Sequence, residues 1–456
     1  MRKHSALSRL RVGYALAVVV LVALLAACGS SSSSSSSSGG SGASSSASST
    51  SSSGGATPSA NTSSCGPKPG VKATGSPIVL GAINTKQPGT DFTDISNMEA
   101  AYFACVNANG GVNGHPLQLV TQTEQTQPAQ IAAASKQLVQ SSHVLGMSGS
   151  SSILECTIDH AYWEKLNFYV IAAGIAPECY STPNIADVNM GPRYSSDGAV
   201  QYALTQHPSK IVFDQSNVPG TGYIAAGPMA LATAAHVPIK TEADNVPIND
   251  ANSVALRLVD DAGANGAVVL NFTPPEALVI LQAAQKLGIE NRVKLWGCST
   301  PCDTDFLAQA LGAKWNHKFF VNAELTPPDD PPSQNAQTIA LYKAILKQYG
   351  SSVSGGVGSF SQMGFTMGEI ATHALESVKG PYTTQSVNQA FVNIKSFDTG
   401  MLCEPWTFGH YPLHIANNTD YTVTPENGKM VLAQGCTAIS SVDPQIAAYH
   451  KAAGTG

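Results

Sequence analysis

The 456-residue sequence is poor in charge, since only 12% of its residues are Asp, Glu, Lys or Arg. Four of its 24 basic residues precede residue 28, and a chain cleaved after residue 27 has a formal charge of −10. No basic run lies beyond that point, which argues against nucleic acid or an anionic membrane surface as a partner. There is also no internal repeat with a period of about 20 to 50 residues.

The ligand spacing of a metal site is missing as well. The sequence has no C-x-x-C pair and its 11 histidines are scattered, so we expect neither a metal nor a cofactor. Apart from Cys28 there are eight cysteines, and an even number is typical of disulfides in an exported chain. They are Cys65, Cys105, Cys156, Cys179, Cys298, Cys302, Cys403 and Cys436. Eight cysteines allow about a hundred pairings, and we expect pairing between neighbours along the chain.

The N-terminus has the features of an export signal. Basic residues precede the apolar run 15–27, which is too short for a comfortable membrane span. Residues 25–29 read LAACG and resemble the bacterial lipobox, whose cysteine is lipidated after cleavage. The alternative interpretation is ordinary cleavage of the signal after small residues, with a cysteine at this position by chance. We predict a lipoprotein signal peptide over 1–27 and lipidation of Cys28, which makes the protein extracytoplasmic and anchored to the cell membrane.

A low-complexity segment follows the signal. Residues 29–62 are almost entirely Ser, Gly, Ala and Thr. Such a composition cannot bury enough apolar surface to offset chain entropy. We therefore predict a disordered tether over 28–75, with a span of roughly 40 Å.

The rest of the chain alternates between strand and helix patterns. Ile78–Ile83 is an apolar strand, helical spacing follows at 98–106, and Leu117–Val120 is a second strand. This is a βαβ unit, whose strands lie parallel. The α/β pattern restarts near residue 192. The expected fold class is α/β, with two doubly wound parallel-sheet lobes joined by a hinge and a cleft between the lobes.

The predicted lobes divide the chain unevenly. Lobe 1 covers 76–194, lobe 2 covers 195–325, residues 326–395 return to lobe 1, and 396–456 form short strands on lobe 2. The Pro- and Asp-rich segment 327–332 is a hinge candidate. Ligands of open α/β sheets bind beyond the carboxyl ends of the strands. Here those ends are the loops after Ile83, Met147, Ala172, Asp214, Phe272 and Gly297.

Loop position alone selects four candidate ligand residues. Gln87 and Asp91 follow the first strand, and a solvated loop is their alternative interpretation. Tyr194 lies at the interlobe crossing and Phe272 follows a strand in lobe 2, and ordinary packing is the alternative for both.

Four motifs resemble the extracytoplasmic solute-binding proteins of ABC importers, of the leucine/isoleucine/valine-binding, or type I periplasmic binding protein, family. They are GGVNGHPL at 110–117, the serines 150–152, AAGIAPE at 172–178 and QMGF at 362–365. The resemblance implies that two lobes close over a small-molecule ligand without catalysis. It also implies an inner-membrane ABC permease as the partner.

The resemblance places further ligand residues. Ser150 and Ser151 fall where the family holds the ligand's carboxylate, and Ala172, Ala173 and Ile175 fall on the next binding loop. Thr300 lies where the family has the glutamate that neutralises an ammonium group, with Asp303 as the nearest acid. Because that glutamate is missing, the family's branched-chain amino acid ligand does not carry over. We expect a small polar ligand (an amino acid, an amide or a short organic acid) with an apolar part and an anionic or amide group held by Ser150 and its neighbours.

Two further motifs favour other functions only weakly. Residues 146–150, GMSGS, approach a nucleophile elbow but lack its last glycine, so an exported serine hydrolase is the weaker alternative. Residues 220–225 loosely match G-x-G-x-x-A, yet they lie several residues beyond their strand. Another alternative is a ligand-binding sensory module, which signals to a membrane partner instead of delivering its ligand to a permease.

Overall fold

The computed structural model describes residues 62–409 and 413–455. The predicted signal peptide, Cys28 and the tether as far as residue 61 lie outside the described residues. The described chain forms two lobes, each built on one sheet.

Lobe 1 is centred on five parallel strands in the order β3-β1-β4-β5-β6, with β2 antiparallel to the end of β1. The strands are β1 (Ile78–Gln87), β2 (Thr90–Asp91), β3 (Leu117–Glu124), β4 (Gly146–Ser150), β5 (Val170–Ala172) and β6 (Ile185–Asp187). Ile78 pairs with Leu117 in parallel, as the βαβ pattern predicted. Between them the chain turns at Gly111, whose φ of 63° suits glycine.

Four helices connect these strands: α1 (Thr93–Ala108), α2 (Pro128–Gln140), α3 (Glu155–Leu166) and α4 (Glu178–Ser181). One face of the sheet is covered by α1, whose Ile95, Met98 and Tyr102 are buried. The other face packs against α2 and α3, with Leu138 and Trp163 inside. Apolar residues at helical spacing thus bury both faces of the sheet.

Lobe 2 repeats the architecture with strands in the order β8-β7-β9-β10-β11. The strands are β7 (Ile211–Ser216), β8 (Ile239–Asp244), β9 (Ala267–Asn271), β10 (Leu295–Cys298) and β11 (Phe319–Ala323). The helices are α5 (Gly191–Thr205), α6 (Ala226–Ala234), α7 (Ala251–Ala262), α8 (Pro274–Leu287) and α9 (Asp305–Leu311). In chain order both parallel sheets follow the 2-1-3-4-5 arrangement, so each has one switch point, where the strand order reverses. These points are between β1 and β4 and between β7 and β9.

Three helices return to lobe 1, namely α10 (Ala336–Tyr349), α11 (Ser359–Glu376) and α12 (Thr384–Val392). The first two were predicted to return, and their Tyr342 and Phe365 share a core with Tyr102. Helix α12 was not predicted.

The C-terminal part serves both lobes. Strands β12 (Thr419–Glu426) and β13 (Lys429–Ala438) extend the lobe 2 sheet antiparallel to β11. Helix α13 (Pro444–Ala453) packs instead in the lobe 1 core that holds Tyr180 and Trp163. Trp406 is also buried in lobe 1. The expected short strands on lobe 2 therefore account for only part of 396–456.

The chain crosses between the lobes three times, near residues 188–191, 324–326 and 415–418. Asn417 links all three crossovers, because its Nδ2 donates to the carbonyls of Val188 (3.2 Å) and Glu324 (3.0 Å). The backbone N–H of Met190 donates to the Glu324 carboxyl at 2.6 Å. The Pro- and Asp-rich segment 327–332 continues the second crossover.

All eight cysteines form disulfides between neighbours along the chain: Cys65–Cys105, Cys156–Cys179, Cys298–Cys302 and Cys403–Cys436. Thr62–Cys65 is a short 3-10 helix attached to α1 through the first of these bonds. Asn109 Nδ2 also donates to the Thr62 carbonyl at 3.1 Å. The part of the predicted tether from residue 62 onward is therefore bound to lobe 1, because a cysteine in it is covalently held.

Candidate functional site

An inner cavity of about 90 Å³ lies between the lobes, at the carboxyl ends of both parallel sheets. All six loops that the topology singled out contribute to it. Their lining residues are Gly89 and Thr90 after β1, Ile153 after β4, Ala173 and Ile175 after β5, Val218 and Thr221 after β7, Phe272 and Thr273 after β9, and Pro301 after β10. Both switch points face this cavity.

The inner cavity has a mainly apolar wall. Phe92, Ile95, Phe360 and Met363 come from lobe 1, and lobe 2 supplies Val218, Ile224, Val246 and Phe272. Hydroxyl groups of Thr90, Ser195 and Ser216 interrupt this surface. Such a wall suits a ligand with an apolar body and few polar groups.

An outer cavity of about 420 Å³ adjoins the inner one, and the two share Gly89, Thr90, Thr273 and Phe360. The outer wall is more polar. It includes three acidic residues, Asp91, Asp94 and Glu276. Asp94 is already engaged, because its carboxylate accepts from the backbone N–H groups of Ser354 and Gly355 at 2.8 and 2.6 Å.

Five of the ten predicted ligand residues line these cavities. Ala173, Ile175 and Phe272 line the inner cavity, while Gln87 and Asp91 line the outer one. The Ile175 carbonyl additionally accepts a hydrogen bond from Tyr223 Oη, which connects the lobes across the cleft.

The other five lie away from both linings. Strand β4 extends to Ser150 rather than ending at Met147, so the expected serine loop is partly strand. The Ser150 hydroxyl accepts from the Ile83 N–H at 3.2 Å, and Ser151 Oγ accepts from Asn84 Nδ2 at 2.7 Å. These serines therefore bond within lobe 1.

Packing and hydrogen bonding also account for the remaining three. Ala172 is buried inside β5. Thr300 donates its hydroxyl to Asn322 Oδ1 at 2.6 Å. Tyr194 donates to Gln445 Oε1 at 2.7 Å and packs edge-on against Tyr180, in agreement with the packing interpretation of this tyrosine.

The polar lining residues that the sequence did not predict include Asn189 and Glu324, which lie on the first and second crossovers. Burial raises the pKa of the Glu324 carboxyl to about 8, although the Met190 N–H opposes the shift. In the sequence, Glu324 is recognisable only as an acid that directly follows the apolar strand β11. Its hydrogen-bond partner Met190 is 134 residues away in sequence, and the hydrophobic pattern does not show that the two residues meet.

The geometry does not favour a serine nucleophile at GMSGS. Ser148 is fully buried in β4 and donates its hydroxyl to Glu99 Oε1 at 2.6 Å. Neither residue lines the inner or the outer cavity. Within 62–409 and 413–455 there is no cluster of three or more His, Cys, Asp or Glu that could hold a metal ion. No helix in the same ranges is long and apolar enough to cross a membrane.

Two α/β lobes with three crossovers and a cavity between the lobes define a bilobed ligand-binding protein. Residues 71–429 match the family model described as periplasmic binding protein. The chain therefore belongs to the periplasmic binding protein family. Comparison with curated proteins gave no match.

Solved structures share this fold at low sequence identity. A fatty acid ABC transporter substrate-binding protein from Thermomonospora curvata is 17% identical, with a TM-score of 0.67, over 83% of this chain and 97% of that one. A branched chain amino acid ABC transporter from Thermus thermophilus with bound valine is 16% identical, with a TM-score of 0.69, over 82% and 99%. An R. palustris solute-binding protein in complex with 4-hydroxybenzoate is 14% identical, with a TM-score of 0.63, over 80% and 98%.

Family membership agrees with the resemblance seen in the motifs. As a member of this family, the protein is an extracytoplasmic binding protein. The predicted fold class, two doubly wound lobes with a cleft between them, is confirmed.

Proposed function

We propose that this protein captures a small molecule with a largely apolar body in its inner cavity and delivers it to an ABC-type permease. The observation that carries the proposal is the cavity itself, lined by all six carboxyl-end loops and mainly by apolar side chains. Closure of two lobes over such a ligand buries apolar surface, which stabilises the bound state.

The structural neighbours suggest a range of ligands to test. One is a fatty acid ABC transporter substrate-binding protein, one holds bound valine and one is in complex with 4-hydroxybenzoate. Each of these molecules combines an apolar part with a small polar group. The wall of this cavity supports the same combination. It gives more weight to the apolar part than the sequence did, because Ser150 and Ser151 bond inside lobe 1.

A thermal-shift screen of the full-length protein in detergent tests this function. The panel holds branched-chain amino acids, short fatty acids, aromatic acids, amides and amines. A ligand that binds only the folded state raises Tm, by an amount that grows with its concentration relative to Kd. At least one class with an apolar body should raise Tm. Ligands without an apolar part should not, and a shift confined to them would contradict the proposal.

The proposal includes a lipid anchor at Cys28, supported by the lipobox-like LAACG. A single acyl chain binds membranes only marginally, and stable anchoring requires more than one. Cys28→Ala should move the protein from the membrane pellet to the soluble fraction of lysed cells. Cys65→Ser, which removes a disulfide-bonded cysteine instead, should stay in the pellet. Equal pelleting of Cys28→Ala and the unchanged protein would argue against the anchor.

A further inference from the structure

The inner cavity has a distinct polar end at the hinge. Asn189 of the first crossover and Glu324 of the second both line it, and they are only 7% and 2% exposed. The Glu324 carboxyl lies against the first crossover, because its Oε2 accepts from the N–H of Met190, the residue after Asn189. Most of the remaining wall is apolar, so this end orients whatever polar group enters the cavity.

Asn189 offers an acceptor that no described residue uses. Its Nδ2 donates to the Gly174 carbonyl at 2.9 Å, which fixes the orientation of the amide. Its Oδ1 is buried and has no hydrogen-bond partner among the described residues. A buried carbonyl oxygen without a hydrogen-bond donor destabilises the protein. The site therefore favours a ligand that donates a hydrogen bond here.

The charges that surround the ligand have one sign. Among the described residues that line the two cavities there is no Lys, Arg or His, whereas Glu324 lines the inner cavity and Asp91, Asp94 and Glu276 line the outer one. The buried Arg193 does not compensate for Glu324, because it pairs with Asp443 at 2.7 and 2.9 Å. An anionic ligand would face Glu324 without a counter-charge, and a cation would gain one.

Three aromatic rings complete this environment. Phe92, Phe272 and Phe360 all line the inner cavity, and Phe92 meets Phe360 edge-on with ring centroids 5.3 Å apart. Aromatic faces attract a desolvated cation and pack well against aliphatic carbon. A carboxyl group, a free carbonyl acceptor and aromatic rings are together the elements of an amine site.

We propose, building on the function above, that the polar end of the ligand is a protonated amine held between the Glu324 carboxylate and Asn189 Oδ1. Its apolar body packs against the three phenylalanines. Glu324 is then the residue that determines specificity, and it lies on a crossover rather than near Thr300, where the family resemblance pointed.

The pH dependence of binding follows from the surroundings of Glu324. Burial raises the pKa of Glu324 to about 8, helped by Asp303 and Asp420 on neighbouring elements. Asp187 of β6 and Tyr180 of α4 also interact with Glu324. An amine binds the ionised carboxyl, so Glu324 releases its proton on binding. Affinity for the amine should therefore rise by up to about tenfold per pH unit as the pH increases toward 8.

Ligands with one carbon skeleton test the proposal: isoamylamine, isovaleric acid, isovaleramide and isoamyl alcohol. The amine stays protonated up to pH 8, as a lysine side chain does. It should give the largest thermal shift with the full-length protein. Glu324→Gln should weaken binding of the amine by at least about tenfold. Glu155→Gln is the matched control, since Glu155 is equally buried and lies outside both linings, and it should leave the affinity unchanged.

The outcomes separate this proposal from the solute-binding function. If isovaleric acid binds best, and binds as well or better in Glu324→Gln, the amine assignment is overturned while solute binding stands. If none of the four ligands binds, the amine assignment also fails, and the broader screen decides the function. Should Glu324→Gln not fold, calorimetry on the unchanged protein decides, because an amine affinity that does not rise between pH 6 and pH 8 overturns the proposal.

Discussion

Replacement of Ile175 by Trp should raise Kd for the cavity ligand at least about a hundredfold, or about 2.7 kcal/mol. Ile175 lines the inner cavity with a half-buried side chain. An indole there takes up space that the ligand needs, and overpacking a closed site is resisted by the surrounding side chains. Half-burial gives the larger side chain a route toward solvent, so the fold should tolerate the change. Isothermal titration with the best ligand of the screen measures the effect.

The matched control for this variant is Ile239→Trp. Ile239 is also half-buried, but it lies on the edge strand β8 of lobe 2, away from both cavities. It should keep the original Kd. An Ile175→Trp protein that binds as tightly as the Ile239→Trp protein would place the ligand elsewhere.

Stability should be greater at pH 5 than at pH 8, by at least about 5 °C in Tm. Burial raises the pKa of several carboxyl groups to about 8, among them Glu99, Glu155, Asp303, Glu324 and Asp420. In the unfolded chain the same groups titrate near about 4. Between these values the folded protein holds more protons than the unfolded chain. The free energy of unfolding therefore falls as the pH rises, by up to about 1.4 kcal/mol per group and pH unit.

Calorimetry at constant ionic strength, in steps from pH 5 to pH 8, measures this dependence. Glu99→Gln is the sharpest control, because burial is the main cause of the raised pKa of Glu99 and a glutamine oxygen can still accept from Ser148. This variant should match the unchanged protein at pH 5 and lose less Tm by pH 8. A Tm that stays level or rises toward pH 8 would show that these carboxyl groups are ionised in the folded state.

Topology was the part of the site that the sequence predicted best. Hydrophobic periodicity placed the parallel strands well enough that all six loops after them line the inner cavity. This works because the carboxyl ends of parallel strands meet at one edge whatever the loops contain. Ala173, Ile175 and Phe272 followed from such reasoning or from the motif at 172–178.

Residue roles were harder to predict. Polar residues at 148–151 indicated a loop, yet their hydroxyls are satisfied by Glu99, Ile83 and Asn84, so they are buried in or beside β4. Motif position alone could not reveal that β4 continues through Ser150. Glu324 was missed for another reason, since its role depends on contacts between crossovers that are far apart in sequence. Helix α13 is a further difference. Residues 396–456 were predicted to form short strands on lobe 2, whereas α13, within that segment, packs on lobe 1.

The Cys65–Cys105 bond also has a mechanical consequence. Any tension on the chain before residue 62 passes through this covalent bond into α1, a helix packed against the core of lobe 1. Strand β1, an interior strand of the sheet, does not carry that tension although it is the next strand in the chain. If the N-terminus is held at a membrane, lobe 1 is the stationary half of the molecule. Lobe 2 then swings toward and away from it as ligand arrives and leaves.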